Sequence, residues 1–591
     1  MRDNFIKTID ELYNTIIQPN NSINKIEIIN MSKCKLEMAL DNYFGEYYYN
    51  LFKANKENGV VYTPKELAKY IVESTVSEED IIDNPYLKII DPACGTGNII
   101  IECFYHLKAI YLKHLDQINK KNNLSLNYDN INFHIINYNI HGVDIDELAL
   151  KILAIDLYYL SGSINCENLL KKDFLIDELL DIYDIYIGNP PYIGHKSIDK
   201  EYSALIRQTY KDVYRDKGDL SYCFFKKAYL NMSTHGKISF ITSRYFMESL
   251  SGKVLRQYII ENFTILKIID FYGVRPFKHV GIDPVIIFLG SKKSGKNYLE
   301  ILKPINKEEL EELPSNDYTE IMNIKFCKFY KLNDELDYDS WVLRDEKESR
   351  IIKKIEQKCF HNLQDLCYSY QGIITGCDKA FIVSKETIEE EKLEWQILKP
   401  WIKSSNINKT YVKEANNYII YSNLIDDEKN FPNAIRHIEN FKERLLNRRE
   451  CIKGSRKWYE LQWGRENKIF DSKKVIFPYK SSNSRFTLDI GNYFSADVYT
   501  LEIKEPDLIS YEFLTFLLNS SLYEFYFKTF AKKLGGNLYE YYPNNLMKLK
   551  IPVNDLKNLS AEEDSYNEEE LYNYFGITEE EKEIIFKKSR S

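Results

Sequence analysis

Residues 181–196 read DIYDIYIGNPPYIGHK. An apolar, strand-like run stops at Gly188 and delivers an amide, two prolines and an aromatic ring in succession: Asn189, Pro190, Pro191 and Tyr192. Two prolines alone read as a turn. The flanking Asn and Tyr put a hydrogen-bonding group and a stacking surface at the same strand end. About 90 residues upstream, IIDPACGTGNIIIE sets Gly95 and Gly97 between a strand and a helix, where glycine allows a tight turn and close approach of a ligand to the backbone. No Lys-Ser or Lys-Thr follows these glycines, so the segment is not a phosphate-cradling P-loop. Asp91, just ahead of the turn, could accept hydrogen bonds from a ligand ammonium group. Asp144 in HGVDIDE, about 50 residues further on at the end of the next strand, stands where an acid can take both hydroxyls of a ribose.

These residues need a frame that brings strand ends together. From KIIDPACGTGN onward, short apolar strands (NIHGVDI, IYDIYIGNP, GKISFITS, ILKIIDFYG, PVIIFLG) alternate with helical stretches, the pattern of a doubly wound, mostly parallel α/β sheet. GSKKSGKNYLE reads as a polar turn leading out of that sheet. Beyond about residue 300 the alternation gives way to mixed α and β. The expected organisation is a helical extension over 1–55, a catalytic domain over 56–300, a specificity domain over 301–555 and an acidic helical tail over 556–591.

At 591 residues with 44% hydrophobic content, the chain can bury more than one core. Its net charge of -9 argues against a uniformly basic nucleic-acid binder, so any such surface must be local. Ten scattered cysteines without a CxxC pair suit reduced thiols, not disulfides or a zinc site, and no metal is expected. With no signal peptide and no apolar run of membrane-spanning length, the expectation is a cytoplasmic, nucleoid-associated bacterial protein without a membrane partner.

In order and spacing, DPACGTG, GVDID, KKDF and NPPY resemble the S-adenosylmethionine-dependent amino methyltransferases, specifically the DNA adenine-N6 class. GVVYTPKELAKYIV is similar to that family's cofactor-methionine motif, and its position ahead of the glycines gives the gamma arrangement. YQGIITGCDKAF, RKWYELQWGRE and YYPNNLMKLKIP resemble the TaqI-like C-terminal specificity domain of Type II and Type IIG restriction-modification methyltransferases. The resemblance implies a Rossmann-like class I methyltransferase domain with a seven-stranded, mostly parallel sheet and helices on both faces, followed by an α+β target-recognition domain.

It also implies roles. Tyr62, Thr63 and Pro64 would contact the methionine part of S-adenosyl-L-methionine. Asp91 would take its ammonium, and Ala93, Gly95 and Gly97 would give backbone approach. Asp144 would hold the ribose, Ile145 would pack on the adenine ring, and Asp173 with Phe174 beside it would accept from the adenine amino group. By themselves, Asp173 reads equally as a solvated turn acid and Phe174 as a core residue. At NPPY, the Asn189 side-chain carbonyl and the Pro190 main-chain carbonyl would hold both N–H bonds of a target amine, Pro191 would stiffen the turn, and Tyr192 would stack on a base that has left the duplex. Phe277 is the candidate second stacking wall, with Phe271 and Tyr272 close by as alternatives.

The loop after NPPY, with Lys196, reads either as an exposed amphipathic helix or as a flap over DNA. Between Phe431 and Ile490, fourteen Lys/Arg stand against seven Asp/Glu, interleaved with Trp458, Tyr459, Trp463 and Tyr479, a local band suited to double-stranded DNA. Gln371, Asp378, Lys379, Arg456, Lys457, Arg465 and Lys480 are the candidate DNA contacts. Residues 1–55 show no PD...(D/E)xK pattern, so methylation without cleavage is expected, from a monomer that acts alone or beside a separately encoded endonuclease. The competing readings are a methyltransferase for release-factor glutamine or an RNA base, and a DNA-recognition subunit without catalysis.

Overall fold

The computed structural model describes residues 2–18, 24–52, 61–194, 198–215, 218–277, 281, 283–305, 318–534, 537–553 and 566–590. It divides into two compact units, Met1–Val342 and Leu343–Ser591.

The first unit is built on a sheet whose strands, in chain order, are β1 (Ile89–Asp91), β2 (Ile140–Asp144), β3 (Leu169–Lys171), β4 (Tyr183–Gly188), β5 (Met232–Ser243), β6 (Phe263–Asp270), β7 (Pro284–Ser291), β8 (Tyr298–Pro304), β9 (Tyr318–Ile321) and β10 (Ile324–Leu332). They lie in the order β3-β2-β1-β4-β5-β7-β6-β8-β10-β9. β1 to β5 pair in parallel, and β7 inserts antiparallel between β5 and β6. The reversal of winding on either side of β1 leaves the carboxyl ends of β1, β2 and β4 side by side, where α/β sheets bind ligands. β1 and the core of β4 are buried throughout, as strands covered by helices on both faces must be.

Three expectations are corrected. The sheet has ten strands, not seven, and the boundary expected at residue 300 falls inside β8, because GSKKSGKNYLE turns the chain back into the sheet. β8 lies parallel to β6 and buries Leu299, Ile301 and Leu302, so β6 is not left as an open edge. The acidic segment at the C-terminus is not a separate tail: helices Glu568–Phe575 and Glu579–Arg590 belong to the second unit. Lys354 to Glu581 (2.6 Å) and Lys588 to Glu348 (2.5 Å) tie them to helix Glu346–Gln357.

The extension is helical, as expected: α1 (Arg2–Ile17), α2 (Lys25–Lys35) and α3 (Phe44–Phe52). Phe5, Ile9, Leu12, Ile29 and Phe44 form one apolar cluster with Ile152 and Ile155 of helix Glu147–Ser161. Then come α4 (Lys65–Thr75), α5 (Glu78–Asp83), whose first turn is closed by a Ser77–Asp80 capping box, and α6 (Asn98–Asn122).

The second unit is mixed α and β. One antiparallel sheet runs Cys367–Gln371, Val498–Ile503, Lys474–Pro478, Thr487–Asp489, and a mixed sheet, whose last pair is parallel, runs Ile382–Ser384, Asn417–Ile420, Leu398–Ile402, Tyr493–Phe494. No described helix is long and apolar enough to cross a membrane.

Candidate active site

β1 ends on Asp91, which is 2% exposed and accepts from the Ala93 amide (3.0 Å). The loop beyond it is tied to β2 by the Cys94 amide on the Val143 carbonyl (3.0 Å). Gly95 (φ +52°) donates its amide to Asp144 Oδ2 at 2.7 Å, and a Cβ there would meet nothing within 4 Å, so this backbone faces open space. Gly97 (φ +91°) opens α6, and a Cβ on it would stand 2.1 Å from Leu153 Cδ1. The first glycine therefore leaves room for a ligand, and the second lets α6 pack on the helix that follows β2.

Both acids lie above the ordinary carboxylate range. Burial, reinforced by the negative charge of Asp144 and opposed by the Ala93 amide, pushes the Asp91 carboxyl up to about 8. Burial also raises Asp144, against the Asp146 and Gly95 amides. Ile145, beside Asp144, is 71% exposed, an apolar face next to two polar groups. Asp173 accepts from the Leu175 amide (2.9 Å) through Oδ1 and from the Tyr202 hydroxyl (2.9 Å) through Oδ2. The Phe174 ring goes elsewhere: it is buried, stacks on Phe224 at 5.2 Å and meets Tyr186 edge-on.

β4 carries the amide. The Asn189 Nδ2 group donates to the Val61 carbonyl (3.3 Å) and to Thr63 Oγ1 (3.2 Å). Those two bonds fix the amide's orientation and leave its carbonyl, Oδ1, buried and without a donor among the described residues. A buried carbonyl without a partner is costly unless something arrives to fill it. The Thr63 carbonyl accepts from Asn98 Nδ2 (3.3 Å), so the turn that enters α4 through Pro64 ties the start of α6 to the end of β4. Tyr62 lies against Tyr49 at 4.7 Å. Gly188 lets β4 lie close against the end of β1, because a Cβ on it would stand 2.6 Å from Asp91 Oδ1. Pro190 is buried, and Tyr192 is 7% exposed with a buried hydroxyl that has no partner among the described residues.

Tyr62, Thr63, Asp91, Ala93, Gly95, Gly97, Asp144, Asn189 and Tyr192 thus gather at the ends of three adjacent strands. Phe277 does not expose its ring: it is 4% exposed and joins Phe271 in the central apolar cluster. Tyr272 (φ +38°) is the half-exposed ring of that segment, with Arg244 and Lys303 over it. Gly188, Asn98 and Tyr202 were missed by reasoning from motifs. The glycine ahead of NPPY and the asparagine after GTG were visible signals, whereas nothing in the sequence around Tyr202 marks its bond to Asp173.

In the second unit, a cavity of about 600 Å³ is lined by Ser369, Tyr370, Gln371, Arg465, Glu466 and Lys468, among others. Arg465, in the left-handed region at φ +65°, donates to Gln371 Oε1 (3.3 Å) and to the Gly372 carbonyl (3.2 Å). Asp378 is engaged by Thr375 (2.6 Å) and Lys403 (3.2 Å), Arg456 lies 4.0 Å from Glu460, and Lys457 donates to Tyr459 (2.8 Å). Lys379 and Lys480 are exposed, and Lys196 lies outside the described residues. Part of the basic band is structural: the nearly buried Arg448 donates to the carbonyls of Thr375, Leu445, Trp458 and Glu460.

Residues 138–277 match the family model of the Eco57I restriction-modification methylase, and residues 399–553 match the TaqI-like C-terminal specificity domain. Both units thus match Type II restriction-modification methyltransferases. Among curated relatives, the Type II methyltransferase M.BanIII of Aneurinibacillus aneurinilyticus is 26% identical over 79% of this chain and 84% of its own length. M.BstVI of Geobacillus stearothermophilus is 23% identical over 64% and 69%. The Type IIL restriction-modification enzyme MmeI, solved in complex with DNA, superposes with a TM-score of 0.56 at 15% identity, over 85% of this chain and 65% of that one. The resemblance drawn from the motifs therefore holds across both units.

Proposed function

We propose that this methyltransferase modifies N6 of an adenine rotated out of a short duplex DNA site, with S-adenosyl-L-methionine as cofactor. The observation that carries this is the buried Oδ1 of Asn189, without a donor among the described residues, at the end of β4 next to the strand that ends on the buried Asp91. S-adenosyl-L-methionine supplies an electrophilic methyl group when bound. Its groups fit the donor set: Asp91 and Asp144 for an ammonium and a ribose, Ile145 for an adenine face, Asp173 for an exocyclic amine, and the open face at Gly95 for backbone approach.

An adenine amine is a weak nucleophile because its lone pair is delocalised into the ring. Asn189 Oδ1 accepts one N–H and the Pro190 carbonyl accepts the other, which favours tetrahedral geometry at nitrogen and aims the lone pair. Thr63 and the Val61 carbonyl hold the Asn189 amide so that Oδ1 needs no reorientation. Pro190 and Pro191 stiffen the turn, and Tyr192, nearly buried, presents a pre-set ring to a base that has left the stack. The amine's proton passes to water, since the methylated ammonium is a strong acid. Restriction-modification relatives support DNA as the polymer, and the basic residues of the second unit support contacts to its phosphates. The reading includes action as a monomer and methylation without cleavage.

Purified chain, labelled cofactor and duplex DNA test this directly. Label should appear as N6-methyladenine at one short sequence, and the DNA should remain uncut. Label in a release factor or in RNA instead, or cleaved duplex, would overturn the corresponding part of the proposal.

A further inference from the structure

The extension reaches the candidate site. α3 runs along helix Glu147–Ser161, antiparallel to it, and is pinned at its start and at its middle by acids of that helix's own segment. At one end, the buried carboxylate of Asp156 accepts from the Phe44 (3.1 Å) and Gly45 (3.0 Å) amides, satisfying two of the donors that a helix N-terminus leaves open. At the middle, the Tyr48 hydroxyl donates to Asp146 Oδ2 at 2.8 Å. Asp146 is also the N-cap of Glu147–Ser161, with Oδ1 accepting from the Leu148 amide (2.9 Å), and its own amide donates to Asp144 Oδ1 (2.8 Å).

Two further contacts put α3 against the site. A Cβ on Gly45 would lie 2.8 Å from Thr96 Oγ1, in the middle of the CGTG loop. Tyr49 lies against Tyr62, and Phe52 stacks on Tyr48 at 4.7 Å. One short helix therefore touches the glycine loop, the residue that orients the ribose-side acid and the first residue of the TyrThrPro segment. A helix that merely covered an apolar face would not need hydroxyl and glycine contacts at these three points.

We infer that α3 is a wall of the cofactor site, and that Tyr48 is a positioning residue that holds Asp144 for the ribose through Asp146. The inference rests on the methyltransferase reading and deepens it. Burial and the Asp146 carboxylate raise the Tyr48 hydroxyl above the ordinary tyrosine range, so it remains a donor at all working pH values. Tyr48→Phe removes one oxygen, keeps the ring on Phe52 and leaves Asp146 Oδ2 without that donor.

The test is calorimetric titration of the full-length chain with S-adenosylhomocysteine, beside steady-state kinetics on duplex DNA. Tyr48→Phe should bind about five- to tenfold more weakly, the net worth of one ordinary hydrogen bond. Its KM for cofactor should rise in step, with kcat at saturation unchanged. Tyr13→Phe makes the same change on α1, where the hydroxyl meets Cys166 instead, and should bind like wild type. If Tyr48→Phe proves poorly folded, Tyr49→Leu, which removes a half-buried ring from Tyr62, replaces it and should also weaken binding. Wild-type affinity in the folded Tyr48 variant, or an equal loss in Tyr13→Phe, would overturn the inference alone. Wild-type protein that binds no cofactor analogue would overturn the methyltransferase reading along with it.

Discussion

The strand ends of the first unit and the candidate DNA contacts of the second hold their polar groups differently. At the strand ends of the first, acceptors are buried and left with unused capacity: among the described residues Asn189 Oδ1 has no donor, and Asp91 accepts from the Ala93 amide and is paired with no cation. Along the basic band of the second, most candidate contacts are already engaged, Gln371 with Arg465, Asp378 with Lys403, Arg456 with Glu460 and Lys457 with Tyr459. The same first unit shows what a satisfied buried amide looks like: Asn139 accepts from Tyr111 and donates to the carbonyls of Pro85 and Leu87. The carbonyls of Asn30 and Asn132 are also without a donor among the described residues, so what sets Asn189 apart is its place at the end of β4 beside Asp91. Chemistry on one atom needs groups fixed in advance. A charged polymer is met by side chains that exchange one partner for another at little cost.

The strongest way to break this comparison is Asn189→Ala. Turnover should fall by about a thousandfold, as when one pre-set polar group is removed from a reaction centre, while analogue binding by calorimetry stays near wild type. A variant that turned over normally would place the chemistry elsewhere. Packing sharpens the contrast next. Gly97→Ala forces a Cβ onto Leu153 in a left-handed turn, and should cost about 2–4 kcal/mol in denaturant unfolding. Gly454→Ala in the basic band shares the left-handed backbone (φ +70°) but meets nothing within 4 Å, and should cost about 1 kcal/mol.

Asp91 gives a titration. Its folded pKa of about 8 lies above the unfolded value near 4. The folded, ligand-free chain therefore holds the proton more tightly, and the stability this group contributes declines as pH rises through that interval. Binding an ammonium requires the ionised form, so analogue affinity should rise about tenfold from pH 6 to 7, level off near pH 8, and release a proton detectable as a buffer-dependent heat. Asp91→Asn should bind weakly and flatten that rise. A pH-independent wild-type affinity would show that the carboxylate is already ionised or unused. The smallest effect belongs to the band: replacing Arg456 and Lys457 by glutamine should weaken DNA binding a few-fold and reduce the salt slope by about one unit per charge, measured by fluorescence anisotropy across salt concentrations. An unchanged slope would move the phosphate contacts to other residues, with exposed Lys379 and Lys480 next in line.

What was legible in the sequence was whatever short-range pattern encodes. The six strand segments of the α/β half are strands, because an apolar run bounded by turn residues has few other ways to hide its side chains. β3 escaped notice, since LLK is too short to show a period. β8 to β10 were assigned to the wrong side of a boundary, because a polar turn looks the same whether the chain leaves a sheet or returns to it.

The sequence by itself determined the motifs, their order and the chemical types on offer: two acids, two flexible glycines and an amide followed by stiff prolines. Only the tertiary structure decided which of their atoms are unspent. Asn189 has its amide nitrogen satisfied and its carbonyl left open because Val61 and Thr63, more than a hundred residues away in the chain, happen to be the groups beside it. Phe174 and Phe277 became core for the converse reason, since a buried apolar cluster formed from distant segments took their rings. A residue's type sets what it can bind. Burial and neighbours supplied by chain folding set what remains for it to bind.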